Sequence, residues 1–139
     1  MSKETICQLA IGLMKTWNAH DLDGVETFYA LEYEGVDVGA ADPQLGPKGA
    51  RQAFERYLRA FPDLQFAISD MIVDGNQVVL VWQAHGTHQG TLMHIPPTYR
   101  TIMVWGTSLL TVEDGKIWRA RYIWDVAGLL RAIGLLPEL

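Results

Sequence analysis

"QFAISDMIVDGNQVVLVWQAHGT" occupies residues 65–87, and its reading sets the class of fold. Two apolar runs, residues 65–73 and 78–87, flank the tripeptide DGN, a strong turn signal. The stretch therefore predicts a β-hairpin. Toward the C-terminus, residues 98–112 read as a long strand that ends in EDG, a second hairpin turn, and residues 116–125 pair back on it. A last helix is expected over residues 126–133, stopped by Gly134 in the left-handed position that favours glycine.

Toward the N-terminus the period changes from two to 3.6. Ile6, Leu9, Ala10, Leu13, Met14 and Trp17 recur at helical spacing and predict a helix over residues 2–20. Ser2 and Thr5 offer capping chemistry, and Asp21 is a good N-cap for a short helix over residues 22–29. LEYEGVDVG (31–39) alternates weakly and reads as a short strand, and AADPQLGPKG (40–49) reads as a loop. A third helix is expected over residues 47–60, with Pro47 in its first turn. Its stripe is Ala50, Ala53, Phe54, Tyr57, Leu58 and Phe61, and FPD ends it, because the residue before a proline avoids helical geometry. Segregated helices and an antiparallel sheet make an α+β fold, expected as a single domain over residues 1–139.

The period of two also sorts the strands into faces. Trp118, Ala120, Tyr122 and Trp124 share one face of the last strand and are assigned to the helix-covered interior. Ile117, Arg119, Arg121 and Ile123 share the other. On the preceding strand Ile102, Val104, Gly106, Ser108 and Leu110 oppose Met103, Trp105, Thr107 and Leu109. Apolar residues on both faces imply cover on both sides. Helices supply one cover, and a second copy of the chain is the simplest other, so a homodimer is expected.

With 49% hydrophobic and 19% charged residues the chain can build a core, and five Trp point to a packed interior, an apolar pocket or an interface. The net charge of −5 and scattered Lys and Arg argue against a nucleic-acid partner. No stretch approaches the roughly 20 apolar residues of a membrane helix. Cys7 is the only cysteine, so no internal disulfide forms and a reducing compartment is expected. The N-terminal residues do not read as a signal peptide, and a cytoplasmic protein is expected.

Several pieces stand together in a familiar order: WNAHDLDGV, LGPKG, AFPDLQFAISDMIVDGNQVVLVWQAHGTHQG, IPPTYR, EDGKIWRARYIWD and LLRAIGLLP. Over nearly the whole chain they resemble the SnoaL-like polyketide cyclases, or ester cyclases, of the NTF2-like (cystatin-like) superfamily. The resemblance implies a curved antiparallel sheet closed by helices into a cone around an apolar pocket. It implies an intramolecular aldol ring closure on a hydrophobic carbonyl compound, with an aspartate as acid/base and neither metal nor cofactor. By ungapped count the family's acid/base aspartate falls on Tyr122. Asp125 matches a second family aspartate, and a polar pair of the preceding strand falls on Gly106 and Ser108. A non-catalytic binding protein or a hydroxylase accessory is the alternative.

The expected catalytic residues are accordingly Asp125, Tyr122 and His88, with Trp17, Trp118, Trp124, Val104 and Ser108 binding substrate. Four of them have a plainer structural reading as well. Asp125 also suits the N-cap of the last helix, Tyr122 and Trp17 also suit the core, and His88 also suits a hydrogen-bonded strand end. In HGTHQG, His85 and His88 fall on opposite faces of a strand and cannot share a metal, and no third ligand lies nearby.

Overall fold

The computed structural model describes residues 2–138. Its elements run α1 (Lys3–Asn18), α2 (Leu22–Glu26), β1 (Tyr29–Asp37), β2 (Gln44–Leu45), α3 (Gly46–Ala60), β3 (Gln65–Asp74), β4 (Gln77–Thr87), β5 (Thr101–Glu113), β6 (Lys116–Trp124) and α4 (Val126–Ala132). The strands form one sheet in the order β2-β1-β6-β5-β4-β3. The α+β class holds. One pair departs from the expected antiparallel sheet: β1 runs parallel to β6. No turn joins those two strands, so no hairpin dictates their direction.

Local chemistry accounts for the element ends. Ser2 accepts from the Thr5 amide and Asp21 from the Gly24 amide, which caps α1 and α2. Helix α2 stops at Glu26, shorter than expected, because Tyr29 already belongs to β1. Gln44 and Leu45, expected in a loop, pair with Gly35 and Glu34 of β1. Strand β5 begins at Thr101 rather than residue 98, since Tyr99 has a positive φ of 59°. The turn between β5 and β6 carries left-handed Asp114 and Gly115, the geometry of a tight hairpin. Gly134, at φ 89°, ends α4 as its type predicts.

Register shifts at Tyr29/Glu34, Ile68/Asp70 and Thr111/Val112 bend the sheet into its curve. The third shift corrects the facing of β6. Val112 pairs with Ile117 and Thr111 with Arg119, so Trp118 is the extra residue of a bulge. Ile117 takes the inner face and is fully buried.

The two ends of the inner sheet face differ. Near the hairpin turns, Val78, Leu80, Leu110, Val112 and Ile117 pack solidly with Ile6 and Leu13 of α1. Toward the other end Ala84, Ile102, Val104 and Tyr122 line open space under α1, α3 and α4. On the outer face Met103, Trp105 and Ile123 are 47%, 45% and 54% exposed. No helix among the described residues is long and apolar enough to cross a membrane.

Candidate functional site

The open end of the cone holds a cavity of about 760 Å³, its mouth included. Helix α1 contributes Trp17, α3 contributes Phe54 and Tyr57, and the sheet contributes Phe66, Trp82 and Trp124. Trp17 stacks on Phe54 with ring centroids 5.5 Å apart, and Phe66 meets Trp82 edge-on at 5.2 Å. Such a wall suits a flat, apolar ligand.

Two neighbouring glycine and serine positions shape that wall. Trp82 and Gly106 are cross-strand partners, and a Cβ on Gly106 would overlap the Trp82 ring. The ring therefore lies across the glycine. Its Nε1–H donates to Ser108 Oγ at 3.0 Å.

One carboxylate stands in this wall. Asp37, the last residue of β1, is 6% exposed and lines the cavity. Its Oδ1 accepts from Trp124 Nε1 at 2.8 Å and from the Gly39 amide at 2.7 Å. Its Oδ2 accepts from the Tyr57 hydroxyl at 2.6 Å. A buried charge without such donors costs several kcal/mol. Here three donors fix its orientation, and Asp37 has no ion-pair partner among the described residues. Burial first, and then the Asp37 charge, pushes the Tyr57 phenol well above its ordinary value. Tyr57 is thus a neutral donor at physiological pH.

A chain of phenols lies beside the carboxylate, since Tyr122 is the cross-strand partner of Asp37. Tyr33 donates to Gln44 Oε1 at 2.8 Å. Its one proton is used there, so in the 3.0 Å contact between Tyr33 and Tyr122 the donor is Tyr122. Tyr122 in turn can accept from Tyr29, at 3.4 Å. The order is Tyr29 to Tyr122 to Tyr33 to Gln44, and its first link is the longest. Burial, followed by the adjacent phenols, raises Tyr29 and Tyr122 well above the usual range. Both remain protonated, and the weakly held Tyr29 hydroxyl can turn to a ligand oxygen.

The cavity brings together four of the residues singled out from sequence: Trp17, Val104, Tyr122 and Trp124. The other four lie outside it. Asp125 is exposed and accepts from the Gly128 amide at 2.8 Å, so it caps α4. The strand ends at Trp124, and the next residue turns into the helix rather than into the cone. His88 is fully buried behind Phe61, with ring centroids 5.5 Å apart. Its Nδ1 accepts from the Thr98 amide at 3.2 Å and ties down the loop that precedes β5. His85, by contrast, is exposed. Ser108 is covered by Trp82, and Trp118, displaced by its bulge, donates to the Glu113 carbonyl at 3.1 Å.

Sequence reasoning missed Asp37. A signal was present: Tyr33, Gly35 and Asp37 alternate, and all three are buried. The outward-facing Leu31 and Val36, 83% and 55% exposed, invert the usual apolar pattern and hide it.

The described architecture recurs in solved structures. A SnoaL-like protein of Jannaschia sp. CCS1, a suggested polyketide cyclase, is 21% identical, with a TM-score of 0.88 over 99% of this chain and 98% of that one. AclR of Streptomyces galilaeus, for which a hydroxylase role is suggested, is 24% identical, with a TM-score of 0.87 over 99% and 90%. IdmH of Streptomyces antibioticus, another suggested polyketide cyclase, is 25% identical, with a TM-score of 0.82 over 93% and 98%. The first two likenesses show the fold alone. A further neighbour at 15% identity, from Catenulispora acidiphila, is described as having a ketosteroid isomerase-like fold. No curated protein matches the chain. The family described as SnoaL-like polyketide cyclase matches residues 9–133. A helix-covered, curved sheet around an apolar cavity, and a family match over most of the sequence, lead to one conclusion: the chain belongs to the SnoaL-like polyketide cyclase family, with the NTF2-like fold.

Proposed function

We propose that this protein is a cofactor-free acid/base enzyme of the polyketide-cyclase type, acting on a hydrophobic carbonyl compound bound in the cone. The observation that carries the reading is the Asp37 carboxylate, held by three donors in a wall that is otherwise almost wholly apolar. Asp37 takes the acid/base role that the sequence reading gave to Asp125. The carboxylate removes a proton from the carbon beside a ligand carbonyl. The enolate oxygen takes a hydrogen bond from the Tyr29 hydroxyl, which burial keeps protonated. The enolate carbon then attacks a second carbonyl carbon of the same molecule. A carbon–carbon bond forms, and the new alkoxide takes its proton back from Asp37. The cavity's part is to hold both ends of one molecule together.

Asp37→Asn tests this. The wild type should exchange the α-hydrogens of a bound aromatic β-keto ester with solvent deuterium, and the variant should lose exchange by 10²–10⁴-fold, roughly the worth of a general base, while still binding the ester. A second reading, binding without turnover, has its own support: Tyr122 stands where the family's aspartate is expected, and its proton is committed to Tyr33. Binding without exchange in the wild type would select that reading.

The same proposal includes a second copy of the chain on the outer sheet face. Met103, Trp105 and Ile123 are exposed there. Beside them Glu34 pairs in register with Arg119, and Val36 with Arg121. An apolar patch flanked by opposite charges such as Glu34 and Arg119 can match itself across a two-fold axis. A cytoplasmic setting agrees with the free Cys7.

A further inference from the structure

The row of phenols beside Asp37 has a direction, and the residue at its end sets it. A line of hydroxyls can pass its protons either way, because each one both donates and accepts. Here the line ends on Gln44 Oε1, a carbonyl oxygen, which only accepts. Tyr33 is fully buried and places its single proton there, at 2.8 Å. Tyr122 then donates to Tyr33 at 3.0 Å, and the Tyr29 proton is left with a contact of 3.4 Å. That last contact is too long to hold the proton firmly. Tyr29 and Tyr122 both line the cavity. Two glycines make room for the bond that ends the row. Gln44 pairs with Gly35 at the edge of the sheet. A Cβ on Gly35 would overlap the Tyr33 hydroxyl and stand 3.1 Å from Gln44 Oε1. A Cβ on Gly49, in the first turn of α3, would stand 3.1 Å from the Gln44 backbone carbonyl carbon.

We propose that Gln44 is a positioning residue for the Tyr29 hydroxyl: by taking the Tyr33 proton it turns the whole row, so that Tyr29 offers its proton to a ligand oxygen. The inference rests on the reading of the cone as a site for carbonyl compounds and names what prepares its donor. Gln44 acts through two intervening phenols and touches no reacting atom in this role. Without the Gln44 oxygen, the row has no acceptor beyond Tyr33 among the described residues. The Tyr33 proton then turns to Tyr122, its other neighbour, because a buried hydroxyl takes whatever acceptor is left. That reversal frees the Tyr122 proton. The donor to the ligand changes from Tyr29 to Tyr122, which lines the same cavity.

The test uses α-tetralone carrying a carbon-13 label at its carbonyl. A hydrogen bond to the oxygen draws electrons from that carbon and moves its resonance downfield. Bound to wild type, the resonance should lie downfield of its position in an apolar solvent, and Tyr29→Phe should remove the shift. In Gln44→Met, which keeps the side chain's length but offers no carbonyl, Tyr29→Phe should leave the shift in place, because Tyr122 now donates. Tyr33→Phe in place of Gln44→Met should give the same result. It removes a single oxygen, so it decides even if Gln44→Met folds poorly. The measurement needs binding alone, so it holds with or without turnover. The inference is overturned, and the cavity reading left standing, if wild type shows no shift or keeps it in Tyr29→Phe. Loss of the shift on adding Tyr29→Phe to Gln44→Met or Tyr33→Phe would overturn it equally. If α-tetralone does not bind, the cavity reading itself fails and the inference goes with it.

Discussion

Alkaline pH should unfold this protein earlier and more steeply than its size alone suggests, because four of its five tyrosines are held as neutral phenols. Tyr29, Tyr33, Tyr57 and Tyr122 all have their ionisation pushed upward, in each case chiefly by burial. The sign follows from linkage. Below about pH 10 both folded and unfolded chains hold these protons, and the full stability is present. Above it the unfolded chain releases them and the folded chain does not, so stability falls as pH rises. Each group contributes a slope of at most about 1.4 kcal/mol per pH unit, and four together about 5.5. A domain of this length starts from about 7–15 kcal/mol. Unfolding is therefore expected between about pH 11 and pH 13. Urea midpoints followed by Trp fluorescence from about pH 8 upward would give the slope, and phenolate absorbance should rise with the unfolding transition. Tyr122→Phe should remove one proton from the slope. Phenolate forming in three or four of these residues while fluorescence stays native would refute the reasoning.

Three further outcomes follow from single contacts. Asp125→Ala should destabilise the fold by about 1 kcal/mol, the worth of an N-cap, and leave deuterium exchange intact, as thermal melts and the exchange assay would show. Gly106→Ala should cost about 1–3 kcal/mol by forcing Trp82 off its site, with a change in Trp fluorescence and in ligand affinity. Trp105→Glu should leave the melting temperature of the isolated chain nearly unchanged but convert a dimer to a monomer in light scattering; an unaltered mass would dismiss the outer face as the contact.

The hairpins and helices were legible because burial there follows a simple period. Val78, Leu80, Trp82 and Ala84 alternate inward without interruption, and Ile6, Ala10, Leu13, Met14 and Trp17 keep one helix face. Legibility failed where the backbone breaks period. At Trp118 one extra residue reverses the facing of everything before it, and no feature of KIWRARYIW announces the bulge. At Asp37 the difficulty was of another sort. Its strand joins the sheet beside a partner more than 80 residues away, a pairing that local pattern cannot reveal. Asp125 matched its expected position in sequence, yet the chain turns at that residue, and the side chain caps a helix.

The packing of Trp82 on Gly106 limits which pairs of side chains these two positions can hold together. The two positions are sterically coupled, although they lie 24 positions apart in the chain. A variant with a polar side chain at position 106 needs a smaller residue at position 82, because a Cβ there would clash with the ring. Ser108 would then be released from its indole. In related sequences a bulky aromatic at the first position should keep company with glycine at the second, and a small residue with anything larger. With the indole in place at position 82, the wall has no room for a side chain at position 106.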